Sequence, residues 1–457
     1  MDYESFVASK RRAEVATGHK PGQLNEHLFD FQAAVVEWAV RRGRAAIFAD
    51  TGLGKTLMQL SWADEVASQT GGIVLVLAPL AVSEQTIEQG RTFGIEVSRV
   101  VQGGTPTGPG VWITNYERMD SIDFTELHGL VLDESSILKA HDGKTRQRII
   151  EAAQGVPYRL SCTATPSPND FDELGNQCEF LGVMTRTEML ATYFVNDTGD
   201  TGTWRLKGWG ASKFWEWMGT WAVVLRNPQD LGFNGARYEL PPLNYHEHVV
   251  EAEQLTGELF ARPAMGLAER RKAQRDSVEA RCRALADVVN AEPGEPWLIW
   301  CHLNDEAELI TQLIPGAVNV QGSDSPESKS KNLLGFAHGE IRVLVSKPKI
   351  AGFGMNWQHC RDVYFTGPSH SYEMTYQAIR RCWRFGQKMP VTVRTCVAES
   401  ERAIVANMKR KEDGNSDMQV SMVTAMREMK DVIVKRAERE WNSYTPSKRM
   451  DIPKWIA

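Results

Sequence analysis

No stretch of this chain stays apolar for long. The longest such run, Ile73 to Val82, is about half of the roughly 20 residues that a membrane-spanning helix needs. Met1 to Ser5 and the following Lys10-Arg11-Arg12 lack the apolar core of a signal peptide, so the expected location is cytoplasmic, away from membranes. Cysteine is scarce and unpatterned, with seven residues scattered from Cys162 to Cys396 and no C-x-x-C among them. An odd set of that kind reads as reduced thiols, neither a disulfide framework nor a zinc site. The adjacent pairs Cys301-His302 and His359-Cys360 do not alter this, because neighbours on a strand point to opposite faces. Net positive charge is missing too. The formal charge of −6 at pH 7 argues against a histone-like nucleic-acid binder, while leaving room for a protein with only a local basic groove.

What is present is a globular composition, 42% hydrophobic and 24% charged, on 457 residues, enough for two or three domains. Two stretches share one rhythm, short Val/Ile/Leu-rich runs followed by polar segments of helix length. That alternation predicts parallel sheets covered by helices. The first stretch places strands at Ala45 to Phe48, Ile73 to Leu77, Val111 to Ile113, Leu130 to Leu132 and Tyr158 to Leu160. The second places them at Trp297 to Trp300, Ala317 to Val320, Ile341 to Val345, Asp362 to Phe365 and Val391 to Cys396. Leu240-Pro241-Pro242 is a natural boundary between them, since proline ends regular structure and stiffens a linker. Glu251 to Asn290 reads as charged and helical, and Met422, Met426, Met429 and Ile433 give an amphipathic C-terminal helix that packs on the second domain.

Ala49-Asp-Thr51-Gly52-Leu-Gly54-Lys55-Thr56 follows a strand and opens a helix, the context of a phosphate-binding loop. Gly52 and Gly54 let the backbone curl until its N–H groups face phosphates. Lys55 is the candidate for the β- and γ-phosphates of ATP, and the Thr56 hydroxyl for magnesium. Leu130-Val-Leu-Asp133-Glu134 supplies the partner acids: Asp133 for magnesium, and Glu134 to orient and deprotonate an attacking water.

With these residues, the sequence resembles the superfamily-two helicases, and most closely the SWI/SNF-type DNA-dependent ATPases, over roughly residues 28 to 412. Leu28-Phe-Asp-Phe-Gln32 resembles the family's upstream motif, which implies that Gln32 reads the adenine edge. Ala78-Pro79-Leu80 with Gln85 resembles the motif on the tracked strand's backbone. Asp133-Glu-Ser-Ser136 stands where the family has D-E-x-H, so the usual histidine is missing from the route between the acids and the next motif. Thr163-Ala-Thr165-Pro166 matches that next motif, and Asn169 to Leu181 its following helix.

A phosphate loop alone does not separate a kinase, a transporter ATPase and a helicase. The discriminator is an arginine finger on a second domain. Gln377-Ala-Ile-Arg380-Arg381-Cys-Trp-Arg384-Phe-Gly-Gln387 fits one, with Arg381 and Arg384 expected on one helical face after Gln377. It is similar to the family's sixth motif except that Arg380 replaces a glycine. Trp297 to Trp300, Gln321-Gly322-Ser323 and Ser346-Lys347 with Ala351-Gly-Phe-Gly354-Met-Asn356 resemble further motifs in the right order. The last implies glycines, Gly354 among them, close to phosphates.

The expected architecture is therefore α/β, two RecA-like lobes at residues 1–240 and 241–400 with a helical extension over 401–457. A tryptophan-rich insert spans about 183–225. There Phe214, Trp217, Met218, Trp221 and Leu225 fall at helical spacing, while Trp204 and Trp209 beside Arg205 and Lys207 are candidates for stacking on nucleic acid. The resemblance implies ATP and magnesium as cofactors and a motor moving along DNA, double-stranded in preference to single-stranded, alone or as a subunit of a larger complex. An ATP-gated clamp that binds nucleic acid without travelling, and an RNA helicase, remain the alternatives.

Overall fold

The computed structural model describes residues 17–398, except 102, 140–142, 169, 197–203, 209–210, 251–276, 352–354 and 370, together with 405, 423 and 424. Apart from those last three positions, the expected extension over 401–457 lies outside the described residues, as do Trp209 and Gly354.

The chain opens with α1 (Asp30–Arg42), β1 (Arg44–Ala49), α2 (Lys55–Thr70), β2 (Ile73–Ala78), α3 (Leu80–Thr92), β3 (Val97–Arg99), β4 (Gly110–Asn115) and β5 (Leu127–Asp133). It continues with α4 (Lys144–Ala153), β6 (Tyr158–Cys162), α5 (Leu174–Leu181), α6 (Arg186–Tyr193), β7 (Phe194–Asn196), β8 (Trp204–Leu206), α7 (Ala211–Met218) and β9 (Ala222–Leu225). Seven of these strands form one sheet in the order β3-β4-β2-β5-β6-β1-β9, and every pairing in it is parallel. Runs such as Ile73-Val-Leu-Val-Leu-Ala78 are buried on both faces because helices cover both, so they carry no polar alternation.

The second half supplies β10 (Leu243–Val250), α8 (Val278–Ala291), β11 (Trp297–Trp300), α9 (Asn304–Leu313), β12 (Ala317–Val320), α10 (Pro326–Ala337), β13 (Val343–Ser346), the short α11 (Pro348–Ala351), β14 (Asp362–Phe365), α12 (Tyr372–Ile379) and β15 (Val391–Ala398). Its six strands run β10-β15-β14-β11-β13-β12, again all parallel. The architecture is thus the expected α/β pair of RecA-like lobes. Trp297, Trp300 and Trp357 are fully buried in the second lobe, Trp62 and Trp221 in the first. All seven cysteines are buried free thiols, and no described helix is long and apolar enough to cross a membrane.

The tryptophan-rich insert departs from expectation. Its helix stops at Met218, and Ala222-Val-Val-Leu225 instead forms β9, an edge strand beside β1. Gly219 and Thr220 break the helix, and the β-branched pair that follows favours a strand. Trp204 sits on the β7–β8 hairpin and packs against the first lobe's core, while Lys207 donates to the Ala191 and Thr192 carbonyls at the end of α6. Among the described residues expected to contact nucleic acid there, Arg205 is the exposed one.

In the second lobe, Arg281 of α8 and Glu306 of α9 form a buried ion pair at 2.8 Å. The second Glu306 oxygen accepts from the His302 and Leu303 N–H groups and from the Thr366 hydroxyl, tying α9 to the loop after β14. Arg281→Met leaves that carboxylate buried and unpaired, and is expected to cost roughly 3–5 kcal/mol in chemical denaturation. A loss below about 1 kcal/mol would mean that the remaining donors suffice.

Candidate active site

The phosphate loop, the acid pair, Thr163 to Pro166, Gln321 to Ser323 and Ser346-Lys347 all fall at the carboxyl ends of strands. In open parallel sheets this is the edge where ligands bind. Ala49 ends β1, and the loop over 50–54 passes directly into α2. Gly52 (φ 93°) and Gly54 (φ 80°) both take left-handed conformations that L side chains rarely adopt. A Cβ on Gly54 would lie 2.2 Å from Gln32 Nε2, so the loop also lacks room for one. Gln32 explains the closeness: its Nε2 donates to the Leu53 carbonyl at 2.8 Å, and its Oε1 accepts from Phe29 N at 2.9 Å. The residue expected to read adenine thereby holds the phosphate loop against the start of α1. Lys55 curls back within the loop, donating to the Ala49 carbonyl at 2.8 Å and the Asp50 carbonyl at 3.4 Å. Burial lowers its pKa, against the pull of Glu134, Asp50 and Asp133.

The acid pair lies two strands away on the same edge. Asp133 ends β5 in register with Cys162 of β6, and its carbonyl accepts from the buried Tyr116 hydroxyl at 2.7 Å. Glu134 has φ 53°, the sole left-handed non-glycine among the described residues. That conformation costs roughly 1 kcal/mol or more. It is stabilised by a bond from the Glu134 N–H to Asp133 Oδ1 at 3.1 Å and by the Thr163 hydroxyl, which donates to Glu134 Oε2 at 3.3 Å. Thr163 thus reaches the acid directly from the end of β6. Gln177 of α5 adds a second route. It accepts from the Ser161 hydroxyl at 2.5 Å and donates to the Ser135 carbonyl at 3.0 Å, joining β6 to the turn after the acids. The sequence reading missed Gln177 and Tyr116. A polar Asn176-Gln177 pair inside an otherwise buried helix was the available signal for the first.

From the second lobe, α12 is capped by Ser371, whose hydroxyl accepts from Met374 N, and ends at Ile379. Arg381 and Arg384 therefore lie in the turns after the helix, not on its face as expected. Turn bonds replace the helical ladder there, with Arg381 N donating to the Ala378 carbonyl at 3.3 Å and Cys382 N to the Ile379 carbonyl at 3.1 Å, and Gly386 (φ 93°) reverses the chain. Arg381 donates to both the carbonyl and the Oε1 of Gln377, each at 3.0 Å, and shares the Met355 carbonyl with Arg384 at 3.4 Å. Burial lowers Arg381 to about 10, with Glu134 opposing, and lowers Arg384 to about 9 with help from its neighbouring arginines. Arg381 and Glu134 thus interact across the two lobes. Gln377 Nε2, Arg384 Nε and Thr165 Oγ1 are buried without a hydrogen-bond partner. Lys139, just beyond the acid pair, forms an ion pair with Glu373 of α12, a further bond between lobes.

These residues fit a magnesium–triphosphate group. Asp133 and Thr56 are hard oxygen ligands of the kind magnesium prefers. Lys55, Arg381 and Arg384 bring positive charge, and the unpartnered donors of Gln377 and Arg384 are groups a phosphate could satisfy.

Residues 29–174 match the DEAD/DEAH box helicase family, and residues 280–386 match the helicase conserved C-terminal domain. The first match covers the phosphate loop and the acid pair, the second the arginine turn. No curated protein matches the chain.

Burial raises the Asp133 carboxyl to about 7; Glu134 adds to the shift and Lys55 opposes it. A carboxyl raised in the folded state keeps a proton that the unfolded chain releases. Its contribution to stability is full below the ordinary carboxylate range and is lost as pH rises through about 7. Asp133→Asn removes that dependence. Without nucleotide or magnesium, the variant's melting temperature relative to wild type should climb between about pH 4 and about pH 7 and then level off. A difference that stays constant with pH would contradict a proton-binding Asp133.

Proposed function

We propose that this chain, which carries the two domains of a superfamily-two helicase, is an ATP-driven motor that translocates along double-stranded DNA. The observation that carries the reading is the ion pair of Lys139, just beyond the acid pair, with Glu373 on the second-lobe helix that leads into Arg381, so that the Arg381 charge acts on Glu134 across the junction. An acid and an arginine supplied by different lobes make hydrolysis depend on closure, and closure is the movement a motor needs.

Magnesium-ATP bound there supplies the γ-phosphoryl group and the metal charge that favours its transfer to water. Lys55 and the N–H groups of Gly52 and Gly54 would hold the phosphates, with Thr56 and Asp133 as ligands to the metal, while the neighbouring Thr51 directs its N–H to Asp50. Glu134 takes a proton from the attacking water. Burial raises its carboxyl, but Lys55 and Arg381 draw it back toward the ionised form that a base requires. Arg381 and Arg384 stabilise the charge that develops on the transferring group, while Gln377 orients Arg381. Gln32 couples the nucleotide to α1 through Leu53. The two family matches suit DNA and RNA alike. The choice of DNA rests on the SWI/SNF-like spelling of Ala351–Asn356 and Gln377–Gln387.

Lys55→Ala should abolish turnover, and Glu134→Gln should retain ATP while losing hydrolysis. Arg381→Ala should lower stimulated kcat by roughly 10³ or more. Normal turnover in Glu134→Gln would remove the catalytic assignment. Rates measured with duplex DNA, single-stranded DNA and RNA identify the track, and duplex DNA should stimulate most. Triplex displacement then separates a translocase from a clamp, which would displace nothing, and activity on RNA alone would replace DNA by RNA as the substrate.

A further inference from the structure

Arg380, the residue that replaces the glycine of the sixth motif, has no part in the chemistry above, yet it is buried at the lobe junction. Its guanidinium forms an ion pair with the carboxylate of Asp50 in the phosphate loop and donates to the Thr51 carbonyl at 3.0 Å. It lies over the rings of Trp383 at 4.8 Å and Tyr376 at 5.5 Å, both from its own lobe. The Tyr376 hydroxyl donates to the same Asp50 carboxylate. Asp50 is held from its own side as well: its N–H donates to the Leu225 carbonyl of β9 at 2.8 Å, and its Oδ1 accepts from Thr51 N at 2.6 Å. Five residues on, Phe385 packs so closely on Gly52 that a Cβ there would lie 3.0 Å from it. The turn carrying the arginines is thereby seated on the phosphate loop at two points.

We infer that Arg380 and Asp50 are a docking pair that sets the register of the second lobe on the phosphate loop and, through it, places Arg381 opposite Glu134. Arg380 is a positioning residue. It reaches no reacting atom, but it immediately precedes one that does, on a turn too short to absorb much displacement. A buried pair suits this task because either charge left alone is strongly disfavoured, so the lobes close in one register or not at all. Tyr376 and Trp383 shield the guanidinium from solvent and restrict where it can point. The inference rests on the ATP-hydrolysing reading of the same site.

Steady-state hydrolysis with saturating nucleic acid tests it. Arg380→Ala and Asp50→Asn should each lower kcat roughly tenfold or more, with a much smaller change in KM for ATP. Arg380→Lys, which keeps the charge, should recover part of the loss. In a background that lacks both reacting arginines, Arg381→Ala with Arg384→Ala, Arg380→Ala should cause no further loss, because it acts through the residues already removed. A loss that appears only in KM, or an additional loss in that background, would overturn the positioning role. Small-angle scattering reads the docking without hydrolysis: Arg380→Ala should expand the particle while its melting temperature stays close to that of Arg380→Lys. An unchanged profile would remove the docking pair. Absence of hydrolysis by the wild type would overturn the motor reading, and scattering would still decide on the pair.

Discussion

Two parallel strands cannot be joined by a tight turn; the chain must cross over, most often through a helix, and return to the same end of the sheet. That constraint directs the whole arrangement. It gathers the carboxyl ends of β1, β2, β5 and β6 on one edge and those of β11, β12, β13 and β14 on another. Loops on those edges lead into helix N-termini, whose N–H groups lack partners and favour anions. The phosphate loop and the acid pair are separated in sequence by about 80 residues, yet β1 and β5 are both neighbours of β6. Bringing the edges of the two sheets together adds the arginine turn without any further folding device.

Charge balance then decides what such a junction prefers to hold. Lys55, Arg381 and Arg384 are all lowered by burial, while Asp133 and Glu134 are raised by it. Shifts in both directions mean that neither set is fully neutralised by the other inside the protein. An anionic phosphate chain would relieve the cations and a divalent cation the acids, so one ligand carrying both suits the site better than either alone. The left-handed Glu134 belongs to the same balance. Its strain is carried by a residue whose carboxylate bonds to Thr163, and strain of this kind concentrates where geometry serves chemistry.

Much of this was legible because it is local. Phosphate-loop spacing, an acid pair ending an apolar strand and the arginine-rich segment each sit within a dozen residues, and the buried strands announce themselves as unbroken apolar runs. In the two large sheets three strands were hidden, for different physical reasons. β3 is only three residues long; β10 is an exposed edge strand with the polar spelling Leu-Asn-Tyr-His-Glu-His-Val-Val. β9 follows a helix whose aromatic spacing happens to continue through Trp221 and Leu225. The helical placement of Arg381 and Arg384 failed because periodicity describes spacing but not the turn bonds that end a helix. Contacts such as Gln177 with Ser135, or Arg380 with Asp50, join distant positions and carry no local pattern.

The scarcity of exposed sulfur has a practical side. All seven native thiols are buried, and burial pushes those of Cys162, Cys178, Cys282, Cys301 and Cys382 upward, away from the reactive thiolate. A cysteine introduced on an exposed helix face would therefore be the group that a maleimide finds first in the native fold. Single-site attachment of a dye or a tether should need no prior removal of the natural residues, several of which pack against the sheets that carry the site.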